Sequence, residues 1–430
     1  MRKLFLSVLL GLGVLTASAQ DVYDYLSQDV PKNNEYTPYY HQRASHFATL
    51  PVDEDDIVML GNSLTDNARW NEIFDNPNIK NRGIIGDIIQ GLYDRVEFIT
   101  KGHPRKIFIL SGINDVSHHL TPDSIARAMD KLITRIERES PETEIILQSW
   151  LPINNEFKRY KNMIGKEMIV LQGNVLFEQV ARKHGIKYIN LFPAFADSTC
   201  TLPKYMTNDG LHITDDGYKI WRDEIAEYIA PGKELPDQLY TIDSNDIVLI
   251  GNNLVGYAEW HELLDNANVT YRYTWPDVVD GLPKLAKQVA ENKPAKILLL
   301  SSYNFVENTP KGVNLSADFN AEVIIEKITE AINGIREVSP ETEIILQSIT
   351  PVNSTYEKYA SFAGSAKKVK DANKKLAKLA KKMKVTWVDA YDTFADEKGD
   401  LKAEYTINGF NLMGKGYTAW ADLLKPYINE

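Results

Sequence analysis

The chain has 430 residues, 43% of them hydrophobic and 25% charged, with 48 Lys and Arg against 59 Asp and Glu. That much apolar material can fill two ordinary cores and excludes a disordered chain. A net charge of −11 supplies no positive field for phosphate backbones or anionic membranes, so nucleic acid is not an expected partner.

At the start of the chain, Arg2 and Lys3 precede an apolar run from Leu4 to Leu15 and then Ala17-Ser18-Ala19. This is the order of a secretory signal over residues 1–19, and cleavage is expected after Ala19. The expected destination is the periplasm or the cell exterior. The run is shorter than the ~20 apolar residues of a membrane span, so no integral membrane segment is expected after cleavage. Cys200 is the single cysteine. It excludes an intrachain disulfide, and its expected role is that of a small packed residue rather than a nucleophile.

Short β-branched apolar runs follow at Ile57 to Leu60, Lys106 to Leu110, Glu144 to Gln148 and Ile186 to Leu191. They alternate with amphipathic stretches such as Asp87 to Lys101 and Pro122 to Glu139. Alternating strands and helices predict a parallel α/β fold with helices on both sheet faces. Ligands in such sheets bind beyond the carboxyl ends of the strands. The residues there are Gly61-Asn62-Ser63-Leu64-Thr65, Asn81-Arg82-Gly83-Ile84-Ile85-Gly86-Asp87, Ser111-Gly112-Ile113-Asn114-Asp115 and, near the last helix, Asn208-Asp209-Gly210-Leu211-His212. Taken singly, each has a structural reading: Ser63 as a turn or cap residue, Gly86 as a tight turn, Asp87 as a helix cap.

The ten residues Ser140 to Ser149, SPETEIILQS, recur unchanged at Ser339 to Ser348. The register extends outward, since DIVMLGNSL from Asp56 answers DIVLIGNNL from Asp246, and DGLH from Asp209 answers NGFN from Asn408. The repeat is far longer than a solenoid unit, so each copy is expected to be a domain. The expected division is residues 20–231 and 232–430, with a seam at the turn-forming Pro231-Gly232-Lys233-Glu234-Leu235-Pro236. The two domains are expected to pack on each other.

Together, the four segments of the first copy resemble the SGNH, or GDSL-like, hydrolases: Ser63, Gly86, Asn114 and His212 stand in that family's order, with Asp209 three residues before the histidine. The resemblance covers about Tyr39 to Ile229, and GNSLT stands where GDS is commoner. NRGIIGD and GIND look most like the carbohydrate O-acetylesterase and platelet-activating-factor acetylhydrolase branch. The resemblance implies two tandem three-layer α/β/α domains, each on a parallel sheet of about five strands. It also implies a serine ester hydrolase with Ser63 as nucleophile, His212 as base and Asp209 as its orienting partner. The oxyanion hole it implies is made of the Ser63 and Gly86 backbone N–H groups and the Asn114 amide. A serine hydroxyl needs such a base, and a tetrahedral oxyanion needs such donors. No metal or cofactor enters this scheme, and the adjacent His118-His119 pair is read as a loop or pocket-rim feature rather than a metal site.

Aligned through the repeat, Ser63 becomes Asn253, Gly86 becomes Pro276, Asn114 stays as Asn304, Asp209 becomes Asn408 and His212 becomes Asn411. The second copy is therefore expected to be inactive. Its expected role is a packing partner, or a sugar-binding face using Tyr257, Trp260, Trp275, Tyr303 and Asn304 beside the degenerate cleft. The stretch Lys367 to Lys384 reads as a surface helix with a solvated face. The substrate expected is a small-molecule or carbohydrate ester with a short acyl group, such as acetylated sialic acid or polysaccharide, because no apolar lid is evident. A lipid acylhydrolase and a non-catalytic carbohydrate-binding protein are the alternatives.

Overall fold

The computed structural model describes residues 36–274, 278–300, 321–357, 360 and 363–429. The signal segment predicted over residues 1–19 lies outside them, as do Trp275, Pro276, Tyr303 and Asn304.

After helix α1 (Pro38–Thr49), the first sheet contains β1 (Ile57–Gly61), β2 (Ile79–Gly83), β3 (Lys106–Leu110), β4 (Glu144–Gln148) and β5 (Lys187–Ile189). All pairings are parallel and the order is β2-β1-β3-β4-β5. Successive side chains of a strand point to opposite faces, and here both faces are covered. Val58, Leu60, Ile107, Ile109, Ile145 and Leu147 enter one core, whereas Ile57, Met59, Phe108, Leu110 and Ile146 enter the other with Trp70 and Trp221. Helices α2 (Ser63–Asp66), α3 (Trp70–Ile73), α4 (Ile89–Arg95), α5 (Glu97–Thr100), α6 (Ile113–Ser117), α7 (Pro122–Glu139), α8 (Glu167–His184), α9 (Phe192–Phe195) and α10 (Asp215–Ile229) connect and cover the strands.

The predicted strands recur with small differences. The last run shortens to Lys187–Ile189, and the helix predicted over Asp87 to Lys101 is two helices, α4 and α5. Asp87 is drawn inward instead of starting the helix: its carboxylate is buried against Arg95 at 3.0 Å. Helix α7 has the boundaries expected, with Pro122 in its first turn and the Thr121 hydroxyl accepting from the Ser124 N–H.

The second sheet repeats the topology with β6 (Ile247–Gly251), β7 (Val269–Tyr273), β8 (Lys296–Leu300), β9 (Glu343–Gln347) and β10 (Thr386–Val388), in the order β7-β6-β8-β9-β10. Its helices are α11 (Asn253–Gly256), α12 (Trp260–Leu263), α13 (Val278–Ala290), α14 (Ala321–Val338), α15 (Ala366–Met383), α16 (Tyr391–Phe394) and α17 (Gly414–Ile428). The lysine-rich α15 buries Val369, Ala372, Asn373, Leu376 and Ala380 on one face, as a surface helix should. Buried ion pairs link equivalent positions of the repeat reciprocally. Arg82 of β2 grips Glu262 of α12 with two bonds of 2.8 and 2.7 Å, while Arg272 of β7 meets Glu72 of α3 at 3.1 Å.

One packing site shows how the two copies diverged in concert. Trp150, 1% exposed, lies just after β4, and Asn174 of α8 bonds both its N–H and its carbonyl at 2.8 and 3.1 Å. The indole rests on Gly173, where an added Cβ would stand 2.0 Å from the ring. In the second copy Ile349 replaces Trp150 and Ala372 replaces Gly173, while Asn373 keeps the same two bonds at 2.8 and 2.9 Å. A glycine-to-alanine change inside a helix ordinarily stabilises by up to about 1 kcal/mol. Here the clash reverses the sign: Gly173→Ala is expected to destabilise by about 1–3 kcal/mol in denaturant titration. Adding Trp150→Ile should recover part of that loss. Stabilisation by Gly173→Ala alone would contradict this packing.

Candidate active site

The order β2-β1-β3 makes β1 the switch point of the first sheet, because the chain leaves it to one side for β2 and then crosses to the other for β3. A crevice opens at the carboxyl ends of strands arranged in this way. Ser63 begins α2 directly after β1, Gly86 lies in the loop after β2, and Asn114 lies in α6 after β3. Asp209 and His212 come from the loop before α10, which crosses the same end of the sheet. The five predicted residues therefore meet from four separate segments.

Ser63 is 6% exposed, and its helical turn is fixed by Asn62, whose side chain accepts from the Leu64 N–H at 3.1 Å. His212 Nε2 lies 2.9 Å from Ser63 Oγ, and His212 Nδ1 lies 2.8 Å from Asp209 Oδ2. The other carboxylate oxygen, Oδ1, accepts from the backbone N–H groups of Leu211 and His212 at 2.9 and 2.8 Å. Burial would raise the Asp209 pKa, but the bonds from the His212 side chain and from these N–H groups outweigh it and hold the carboxyl at about 2. An ionised Asp209 only accepts, so Nδ1 carries the proton and Nε2 is left to receive the Ser63 hydroxyl.

Sequence reasoning missed Tyr160. Its hydroxyl donates to Asp209 Oδ2 at 2.9 Å and lies 3.1 Å from His212 Nδ1. Burial first, and then the bond to Asp209 and its charge, raise the tyrosine pKa, so the phenol stays a neutral donor. The only signal in the sequence was its place after β4, in a loop rich in charged residues and without a motif.

The predicted oxyanion donors are held by a reciprocal clip. One Asn114 Nδ2–H donates to the Asp87 carbonyl at 2.8 Å, leaving the second amide hydrogen for a ligand. Asp115, its neighbour, accepts from the Ile89 N–H at 3.2 Å. Two adjacent residues after β3 thereby hold the Gly86 loop to the Asn114 helix. Gly86 has φ +79° with no atom within 4 Å of a built Cβ, so glycine is required there by conformation rather than by space. Ser63, Gly86, Asn114, Tyr160 and His212 line one cleft of about 520 Å³ together with Ile85, Ile113 and Met163.

Other predicted features differ. Trp260 is fully buried, its indole N–H donating to the Val255 carbonyl at 2.8 Å, so it is core and not a cleft aromatic. Its helical spacing within α12 turns the ring inward. Cys200 is exposed, in a turn gathered around Asp197, and is not packed. His118 and His119 are exposed at the end of α6, and no cluster of three or more ligating side chains occurs among the described residues. In the second copy, Asn408 Oδ1 accepts from the Phe410 and Asn411 N–H groups at 3.2 and 2.8 Å, the same turn that Asp209 makes. Asn253 Nδ2 donates to the Tyr257 hydroxyl at 3.3 Å. No helix among the described residues is long and apolar enough to cross a membrane.

The GDSL-like lipase/acylhydrolase family model matches residues 59–220, the span that carries this geometry. Over 178 residues the chain is 29% identical to an N-acylneuraminate cytidylyltransferase of Escherichia coli O18:K1:H7, an alignment covering 40% of each protein. The chain thus spans well under half the length of that curated relative. Among solved structures, one described as a platelet activating factor from Streptococcus pneumoniae has 24% identity and a TM-score of 0.41, over 44% of this chain and 92% of that one. A GDSL-like lipase from Bacteroides thetaiotaomicron has 23% identity and a TM-score of 0.39, over 44% and 96%.

The Asp115 carboxylate gives a pH test of the clip. Burial raises its pKa to about 7, against the lowering effect of the Ile89 N–H and its own N–H. For an acid whose folded-state value lies above the unfolded one, the stabilising contribution is complete below about pH 4 and is lost as pH rises through the folded value. Asp115→Asn, uncharged and still able to accept from Ile89, should therefore gain Tm relative to the parent by a few degrees between pH 5 and pH 8. A constant Tm difference across that range would show that Asp115 does not change protonation in the fold.

Proposed function

We propose that this chain is an exported serine esterase that removes acetyl or other short acyl groups from carbohydrate, acetylated sialic acid and polysaccharide among its candidates. The observation that supports it is the unbroken line Ser63 Oγ, His212 and Asp209, with contacts of 2.9 and 2.8 Å. In this reading residues 20–231 are the catalytic domain and residues 1–19 a signal peptide. Residues 232–430 are a degenerate copy that packs on the catalytic domain and supports it.

Ser63 Oγ attacks the ester carbonyl carbon while His212 Nε2 takes its proton. The carbonyl oxygen becomes an oxyanion, received by the Ser63 and Gly86 N–H groups and the free Asn114 amide hydrogen. Collapse breaks the carbon–oxygen bond, and His212 returns its proton to the departing alcohol. Water then repeats the sequence on the acyl-serine, releasing the carboxylic acid. Asp209 stabilises the imidazolium at both steps without taking the proton. In the second copy, Asn411 has no ring nitrogen to accept a proton and Asn253 has no nucleophilic oxygen, so the same sequence cannot start.

Ser63→Ala and His212→Ala are each expected to lower ester turnover by several orders of magnitude with unchanged melting curves. Asn114→Ala should lower kcat by about 10² to 10³. Full activity in folded Ser63→Ala would refute the nucleophile assignment. With 4-nitrophenyl esters of increasing length, the specificity constant should be highest for acetyl. A steady rise of up to about 0.8 kcal/mol per added methylene would point instead to a lipid acylhydrolase.

A further inference from the structure

We propose that the cleft selects esters whose alcohol carries a negative charge, such as an acylated sugar acid, and that Arg159 and Lys161 are the residues that recognise it; this rests on the ester-hydrolase reading above. The chain as a whole is acidic, with 59 Asp and Glu against 48 Lys and Arg. The cleft reverses that balance. Arg159 and Lys161 both line it, and no Asp or Glu does. The triad carboxylate of Asp209 is engaged on both oxygens by His212, Tyr160 and backbone N–H groups, so its charge is already compensated.

The placement of the two cations is built into the loop. The short helical turn Asn155–Phe157 is followed by Lys158 in the left-handed region at φ 52°, which redirects the backbone so that Arg159, Tyr160 and Lys161 reach the cleft in succession. The Tyr160 hydroxyl meets Asp209 and His212, and its neighbours Arg159 and Lys161 line the same cleft as Ser63. The Arg159 charge acts on the same tyrosine, drawing its pKa down against the raising effect of burial and Asp209. In neighbouring segments Lys204 makes an exposed pair with Glu156 at 2.7 Å, and Lys166 donates to the Val116 carbonyl at 3.4 Å. Arg159 and Lys161 are exposed and pair with no carboxylate among the described residues. Their charges are open to an anion seated beside Ser63. A cleft of about 520 Å³ accommodates a monosaccharide acid. An Arg fork matches a planar carboxylate, and a lysine beside it adds a second, adjustable donor.

The test uses the full chain and three acetyl esters: an O-acetylated hexuronic acid, its uncharged carboxamide and an O-acetylated hexose phosphate. The parent should show a higher kcat/KM for the acid than for the carboxamide. The Arg159→Gln/Lys161→Gln double variant should reduce that ratio about tenfold, through KM rather than kcat. Raising the salt to 1 M, where screening acts within about 3 Å, should narrow the parent's ratio as well. A similar preference for the phosphate would show that charge, rather than carboxylate shape, is read. Equal handling of acid and carboxamide by the parent, or an unchanged ratio in the double variant, overturns the proposal. Hydrolysis of 4-nitrophenyl acetate separates the two levels. Ser63-dependent turnover without charge discrimination removes only this inference, whereas no Ser63-dependent turnover of any ester removes the esterase reading and this inference with it.

Discussion

The site depends on the Asp209 carboxylate having both oxygens fully engaged. Oδ1 accepts from the Leu211 and His212 N–H groups and so closes the turn that carries the histidine; Oδ2 accepts from His212 Nδ1 and from the Tyr160 hydroxyl. One side chain therefore sets the backbone, the ring orientation and the tautomer at once. The turn is rigid for a second reason. Gly210 has φ +87°, and a Cβ there would stand 2.1 Å from the Asn154 carbonyl, itself part of the segment leading to Tyr160. With Asp209 held near 2, a carboxylate charge faces His212 across ordinary pH. Ser63, Gly86 and Asn114 line the same cleft around that fixed imidazole.

The second copy separates the fold from the chemistry. Asn408 makes the same two backbone bonds as Asp209, because an amide oxygen accepts as well as a carboxylate oxygen. What is lost is the charge, the imidazole and the hydroxyl, none of which the turn needs for its shape. The Trp420 indole still donates to Gln347 at 2.6 Å, as Trp221 does to Gln148 at 2.7 Å, so the core under the strands is kept. Arginines of the two edge strands pair with glutamates across the repeat, Arg82 with Glu262 and Arg272 with Glu72, with little of either pair left exposed. Leaving any one of these charges without its partner would be costly, since a buried ion unpaired loses several kcal/mol.

The strands and the candidate site positions were legible because each is written locally. Apolar runs covered on both faces marked β1, β3 and β4, and Ser63, Gly86, Asn114 and His212 each follow a strand or precede the last helix in a recognisable segment. Strand β2 was harder to read, since Ile-Lys-Asn-Arg-Gly at a sheet edge carries polar residues that bond carbonyls and Glu262 rather than a core. Tyr160 was not legible because its partners are 49 and 52 residues away and its loop has no period. Trp260 and Cys200 failed in opposite directions. An aromatic beside a degenerate motif packs inward when its helical spacing demands it, and a cysteine ends up exposed when its turn is organised by a neighbouring Asp197. Burial is a property of the tertiary surroundings, which residue type alone does not specify.

The most direct test of the central claim, that a single serine of the first copy is activated by His212, is mass-spectrometric mapping of a fluorophosphonate adduct on the whole chain. The expected result is one adduct per molecule, on the peptide containing Ser63, with none on the peptide containing Asn253 or elsewhere in the second copy. A stoichiometric adduct on another residue, or a folded protein that never labels at Ser63, would contradict the account.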